Sequence, residues 1–436
     1  MPWAPPEDMH EGAIARLHLL CYNVRMSFSP FHFPRQRRLP PTSASAPVLK
    51  SNTMRILHLY KDYAPVLGGI ENHIRVLAEA EAAAGHDVIV AVCMPQHGPR
   101  LPLERVENGV CVLRYPRVAT LRSMPLSVPY WFAVRHLVRD VDVVHVHSPF
   151  PLGEAAVRTL PRTVRIIATH HSDVVRQKLL LRFYAPLYRT FLDRADLILP
   201  TSDAYAASSP WLRPHLAKCR TVPLGVDTQI FHPSQPSQPS HFPSPQPPTP
   251  DPHFSLLFVG RLRYYKGLDT LLHALSRLPE NIRLDIVGDG PMGPAWKTLA
   301  ADLHLQDRVR FLGEIPDADL PGAYRSADLF VLPCNCRAEA FGTVLAEALA
   351  SGVPCITCDV GSGTSSVVRD GVSGRVVPPS DPAALAAAIR SLSEDRPLLS
   401  RMAVAAREDA CTRLSDTVMV QSVMKCALHN PSPKQQ

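Results

Sequence analysis

Apolar positions along this chain come in short, nearly unbroken runs, separated by stretches with helical spacing. The first clean run is Arg55–Tyr60. Asp87–Cys93, Val110–Tyr115, Val141–His147, Arg165–Thr169, Leu197–Pro200 and Arg220–Pro223 follow it. Runs of this kind, without polar alternation, mark strands covered on both faces. Amphipathic segments lie between several of them, the clearest being Gly69–Ala84, which Gly85 closes. Strands alternating with helices predict βαβ units on a parallel sheet. A second series repeats the plan with Ser255–Val259, Arg283–Val287, Arg308–Leu312, Asp328–Pro333, Val353–Cys358 and Arg375–Val377, and a helix-forming run, Asp416–Ala427, follows.

Between the two series, residues 233–252 carry nine prolines among Ser, Gln and Thr. Such a stretch makes neither a helix nor a central strand and reads as a solvated linker. The expected organisation is therefore an α/β protein of two Rossmann-like, doubly wound parallel-sheet domains facing a cleft. The first covers 54–232, and the second, after the linker, covers 253–413. Residues 414–436 are expected to form a helix returning to the first domain, then a tail. Residues 1–53 lack a sustained period, and the texture changes at Met54, so they read as a disordered extension or a start-site artefact. No apolar segment with a cleavage site opens the chain, which argues against a secretory signal.

Composition changes this picture little. With 436 residues the chain is too long for one compact core, and 46% hydrophobic with 19% charged residues is a globular profile. The net charge of +7 is mild, and residues 1–53 supply +3 of it through six Lys/Arg against three Asp/Glu. That excess does not call for nucleic acid; phosphates or a lipid surface would satisfy it. Apolar runs fall well short of the about 18 residues a spanning helix needs. Of the ten cysteines several, such as Cys93 and Cys111, lie inside predicted strands, and Cys334, Cys336, Cys355 and Cys358 flank apolar strand sequence with no matching histidine pair nearby. They read as small thiols in a reducing compartment.

Candidate chemistry gathers where the strands end. Glu339-Ala340-Phe341-Gly342-Thr343-Val344-Leu345-Ala346-Glu347 sets two carboxylates about two helical turns apart around a turn glycine. The first amides of a helix starting near Gly342 would favour a phosphate. Arg261 and Lys266, on the connection after Ser255–Val259, are two cations able to grip a diphosphate. Gly68-Gly69 opens a helix where backbone can approach a phosphate closely. His145 and His147 share a strand face, and His147 stands at the end where such sheets place ligands. Each also has a plainer reading: a solvated helix glutamate, a basic exposed loop, a tight turn, a packed histidine. Gly288-Asp289-Gly290-Pro291-Met292-Gly293, with Glu314 beyond it, matches the dinucleotide pattern. It follows the second strand of its domain, however, and Pro291 removes an amide from the phosphate path.

Taken together, and in this order, these motifs resemble the retaining glycosyltransferases of family four, which have the GT-B fold, over roughly residues 54–425. The resemblance implies that Glu339 and the Phe341–Gly342 backbone hold the donor sugar and that Glu347, with Gly288 and Ile315, meets the nucleotide. It also implies that Arg261, Lys266, Gly68, Gly69, Thr343 and Val344 hold the diphosphate and that His147 and Glu339 serve catalysis. Ala340 replaces the family's usual glycine, and the Pro-rich linker is longer than usual. Thr169–Lys178 and Gly361–Ser365 resemble bacterial GDP-mannose-dependent α-mannosyltransferases of surface polysaccharide or glycolipid synthesis. Fixed cations and helix amides would make a metal unnecessary, so no metal and no cofactor beyond the nucleotide-sugar co-substrate are expected.

A glycan or lipid-linked acceptor is the expected partner. Arg176–Arg194 mixes five Arg/Lys with Leu, Phe and Tyr, which suits either contact with an anionic membrane or ordinary core packing. A cytoplasmic place, at most peripheral on the membrane, follows. Other readings stay open: a UDP-sugar hexosyl or N-acetylhexosaminyl transferase, an NAD- or FAD-dependent oxidoreductase, and a nucleotide-sugar-binding scaffold without turnover.

Overall fold

The computed structural model describes residues 53–66, 68–95, 98, 101–121, 124–158, 160–173, 178–233 and 253–428. The extension at 1–52 and all of the Pro-rich linker but its first residue lie outside the described residues. Strands β1 (Arg55–Leu59), β2 (Asp87–Cys93), β3 (Leu103–Glu107), β4 (Val110–Tyr115), β5 (Ala119–Leu121), β6 (Met124–Leu126), β7 (Val143–Ser148), β8 (Arg165–His170) and β9 (Leu197–Pro200) belong to the first half. The second half holds β10 (Phe254–Val259), β11 (Ile282–Val287), β12 (Val309–Gly313), β13 (Leu329–Leu332), β14 (Cys355–Cys358) and β15 (Gly374–Val377).

The first sheet runs β3-β4-β2-β1-β7-β8-β9 and the second β12-β11-β10-β13-β14-β15. The second is parallel throughout, and in the first only β3 runs antiparallel, against β4. In each half the chain builds outward to one side, returns to the centre, and builds to the other. The order thus reverses between β1 and β7, and again between β10 and β13. Doubly wound sheets bind ligands at such switch points, outside the carboxyl ends of the strands.

Continuous apolar strands explain why both sheets are buried on two faces. Leu57, Val90, Val144 and Ile166 are fully covered in the first half, and Leu284, Phe330, Val331 and Ile356 in the second. The helix Asp416–Leu428 packs Met419, Val420, Val423 and Ala427 against Leu77, Val143, Ile167 and Leu197 of the first half. Arg220–Pro223 is not a strand. It follows the edge of β9 through Arg220 N–H to Ile198 O (2.9 Å) and Val222 N–H to Pro200 O (3.0 Å). Pro223 has no N–H with which to extend a ladder.

Candidate active site

On the second half, β10 ends at Gly260 and enters a 3-10 turn, Tyr264–Lys266, before the helix Leu268–Leu275. Asn335, just past β13, braces that turn: its Nδ2 donates to Tyr264 O at 2.9 Å and its backbone N–H to Tyr265 O at 3.1 Å. Lys266 is thereby buried with Nζ 2.6 Å from Glu339 Oε2. Burial opposes the Lys266 charge, but the Glu339 carboxylate, Cys334 and Tyr265 together offset it, and the net shift is upward. Glu347 lies on the helix Thr343–Ala350, where Tyr324 Oη donates to it at 2.7 Å. Burial raises the Glu347 carboxyl, while the Tyr324 hydroxyl and the Lys266 charge pull it back. Both glutamates therefore feel one buried ammonium. Arg261, five residues earlier, is exposed.

Left-handed Gly342 caps the helix Thr343–Ala350, whose first residues Thr343 and Val344 are half-buried. Facing them is the glycine pair of the first half: a Cβ on Gly69 would stand 3.6 Å from the Thr343 side chain. Gly288 and Ile315 sit half-buried at the ends of β11 and β12. The Gly288–Gly293 pattern has a packing cause. A Cβ on Gly288 would fall 2.3 Å from Gly260 O, and one on Gly290 2.6 Å from Leu262 O. These glycines let the turn after β11 lie directly on the loop after β10.

At the β1/β7 switch point lies a buried group of histidines. Register sets His58 beside His145, and His147 beside Thr169. His147 Nε2 is 3.1 Å from His58 Nδ1, and its Nδ1 is 3.2 Å from His171 Nε2. His58 Nε2 meets Glu81 Oε2 at 2.6 Å, and His145 Nε2 meets Thr169 Oγ1 at 2.7 Å. His73, one turn beyond Gly69, points Nδ1 at Met419 Sδ (3.0 Å). Burial first, then neighbouring imidazoles, hold His145, His147 and His171 well below the usual histidine range, and His73 at about 3. These rings are neutral. Two trios, His58/His145/His147 and His73/His147/His171, bring nitrogens within 4.8 Å of one another. Most of those nitrogens are already committed to hydrogen bonds, which a metal would have to break.

A third contact joins the halves. Arg337 Nη2 donates to Asp173 Oδ2 at 2.9 Å and Nη1 to Gly361 O at 2.8 Å, with the guanidinium 5.1 Å over the Tyr205 ring. Asp173 also takes His170 Nε2 (3.0 Å) and Ser209 Oγ (2.8 Å). Burial pushes its carboxyl up, but these partners win and hold it low. Arg337 thus ties together the two stretches singled out in the sequence, Thr169–Lys178 and Gly361–Ser365. Sequence reasoning missed Arg337, Glu81, His58 and His73. Only their place in three dimensions marks them.

Two comparisons decide the family. The description "Glycosyltransferase Family 4" matches residues 67–230, and "Glycosyl transferases group 1" matches residues 243–409. D-rhamnosyltransferase WbpZ of Pseudomonas aeruginosa is 35% identical over 78% of this chain and 87% of its own length. The chain belongs to glycosyltransferase family 4. A second relative, O-antigen chain mannosyltransferase C of Escherichia coli, is 34% identical over 78% of this chain and 88% of its own length. Among solved structures, Anabaena HepE in complex with UDP-glucose superposes with a TM-score of 0.67 at 20% identity, covering 85% of this chain and 98% of that one. That likeness shows the GT-B fold. A family 4 enzyme of this fold is a hexosyltransferase, and the oxidoreductase and scaffold readings fall away.

Proposed function

We propose that this glycosyltransferase moves mannose from GDP-mannose to a glycan or lipid-linked acceptor of surface polysaccharide or glycolipid, retaining the anomeric configuration. The observation that carries this reading is the Lys266–Glu339–Glu347 group at the β10/β13 switch point, opposite Gly69. Lys266, Arg261 and the amides of Thr343 and Val344, approached by Gly68 and Gly69, bind the diphosphate and stabilise charge as it leaves. Glu339, freed from Lys266 when phosphate arrives, takes donor-sugar hydroxyls with the Phe341–Gly342 backbone. Glu347, Gly288 and Ile315 meet the nucleotide. His147 serves the sugar side through its hydrogen bond to His171.

With fixed cations in place, the departing diphosphate needs no divalent metal. Support for mannose comes from the two stretches that Arg337 joins and from the mannosyltransferase relative. A peripheral membrane contact fits Phe183, 81% exposed on the basic helix Lys178–Arg194, with Phe132 exposed on the helix Val128–Leu137. No helix among the described residues is long and apolar enough to cross a membrane.

Donor competition in excess EDTA, with proton NMR of the product, tests the reading. It expects an α-linked mannoside made from GDP-mannose without metal. A β-linked product overturns retention, and an α-product made only from a UDP-sugar overturns the mannosyl donor. Glu339→Gln should depress turnover far more than nucleotide affinity, and Glu347→Gln should weaken the bare nucleotide, by about 1–3 kcal/mol for each lost charged hydrogen bond. One common pattern in both variants removes these separate roles.

A further inference from the structure

A second cavity, of about 240 Å³, lies between the halves, and neither Lys266, Glu339, Glu347 nor Gly69 lines it. Its volume falls just below the range of about 300–1,000 Å³ typical of drug-sized ligands, which suits a smaller molecule. Thr201 and Asp203, just past β9, and Pro223 form the wall on the first half; Phe341, Arg413 and Leu414 form it on the second. The polar groups of this wall are not all spent on the protein. Thr201 is 1% exposed, and its Oγ1 has no hydrogen-bond partner among the described residues. Buried hydroxyls in that position are exceptions in folded proteins and call for a reason. Asp203 accepts from Thr221 Oγ1 through Oδ1, which leaves Oδ2 uncommitted. Arg413 donates Nε to Asp409 Oδ1 at 2.6 Å and Nη2 to Asp409 Oδ2 at 2.5 Å and Val367 O at 3.2 Å. Its Nη1 donates to Ser366 O at 3.4 Å. Four of its five N–H groups are thus used, and one remains at Nη1.

These groups select by charge. A phosphate or carboxylate brought here would meet the Asp203 carboxylate, and a cation would meet Arg413, whose own charge is already matched by Asp409. A neutral molecule with several hydroxyls escapes both repulsions. Each O–H donates and accepts, so one molecule can serve a carboxylate oxygen, a guanidinium N–H and a threonine hydroxyl together. The remaining wall, Phe341, Pro223 and Leu414, is apolar and suits the C–H face of a ring. We propose that this cavity is a binding site for one neutral sugar ring, held between the two halves. Hydroxyls of the ring donate to Asp203 Oδ2, accept from Arg413 Nη1 and pair with Thr201 Oγ1. Phe341 stands two residues after Glu339, so the occupant bridges the first half to the loop that carries this glutamate. The ring is either a free sugar or one residue of an acceptor glycan, and the recognition chemistry is the same. Assigning it to an acceptor rests on the transferase reading above; the site itself does not.

Ligand-observed NMR on the full chain tests the site with two probes for each of mannose, glucose and N-acetylglucosamine, the free sugar and its linear trisaccharide. At least one probe should bind, with a dissociation constant on the order of millimolar for so few contacts. Thr201→Val and Asp203→Asn keep the shape of the wall, and each should weaken that probe about tenfold, the worth of one lost hydrogen bond. Affinity for GDP should stay unchanged in both variants, which shows that the fold is intact. Binding of a free sugar with this sensitivity assigns the site to a single ring, and binding of a trisaccharide alone assigns it to a glycan residue. Failure of every probe to bind overturns the proposal. So does binding that ignores Thr201→Val and Asp203→Asn but disappears in Glu339→Gln, because the ring then sits in the donor site. Sugar binding sensitive to Thr201 and Asp203 in a protein that transfers no sugar would fail the transferase reading and leave the site standing.

Discussion

Single residues in this chain announce their chemistry but not their partners. Lys266, Glu339 and Glu347 were legible from spacing at strand ends, yet that one ammonium serves both carboxylates was not, because Lys266 and Glu339 lie 73 positions apart in sequence. Glu154 carried no signal at all. It is wholly buried on the helix Pro151–Val157, takes Tyr184 Oη at 2.6 Å and Phe150 N–H at 2.8 Å, and burial pushes its carboxyl up to about 7 despite those bonds. A folded-state value above the unfolded one means that the fold favours the protonated acid. Its stabilising effect is complete below the unfolded value of about 4.3 and is lost as pH rises through about 7. The buried histidines act with the opposite sign, destabilising the fold as pH falls below their unfolded value. A comparison of variants isolates the glutamate. Glu154→Gln should unfold at higher denaturant than wild type at pH 8 and match it near pH 4, a difference on the order of 2–3 kcal/mol. Parallel denaturation curves at every pH would show that Glu154 stays ionised in the fold.

At the scale of elements, legibility followed burial. Strands covered on both faces gave unbroken apolar runs, and all of β1, β2, β4 and β7–β15 stood out. β3 reads Leu-Glu-Arg-Val-Glu with its middle three residues exposed, and β5 and β6 are three residues each, too short for any period. The turns that join elements were legible as glycines, but not the reason for each. Gly267 has φ 69°, and a Cβ there would fall 2.0 Å from Pro333 O, just past β13. Gly313 has φ 71° with nothing within 4 Å. Both Ala variants meet a left-handed backbone, worth about 1–2 kcal/mol. Only Gly267→Ala must also part the β10 and β13 loops that set Lys266 beside Glu339. Thermal melts should show a small loss for Gly313→Ala. Gly267→Ala should lose much more, and with it nucleoside diphosphate binding. Equal, small shifts would mean that the backbone at 267 yields easily.

Across the whole molecule, two tandem sheets could be read from the repeated alternation, because each half folds on its own apolar runs. Contact between the halves could not, since it joins side chains such as Asp173 and Arg337 at a separation of 164 residues. Arg337 stands two residues before Glu339, so the link that ties the halves also fixes the loop that carries this glutamate. Asp173 holds its charge low in the pH scale and keeps the pair ionised under ordinary conditions. Arg337→Ala removes a charge-assisted bond to Asp173 and a second bond to the Gly361 carbonyl, a loss of about 1.5–3 kcal/mol for the charged contact. Arg337→Lys should recover little, because a single ammonium lacks the planar fork that reaches both oxygens. Glu347 and Lys266, which are proposed to meet the nucleotide and its diphosphate, take no part in this link. Bare nucleotide affinity should therefore hold within about threefold, while kcat for sugar transfer falls tenfold or more and small-angle scattering reports a wider molecule. An Arg337→Ala/Asp173→Ala double variant should cost little beyond the worse single one, since the two groups act as a unit. Additive losses, or an unchanged scattering profile with full turnover, would show that other contacts hold the halves together.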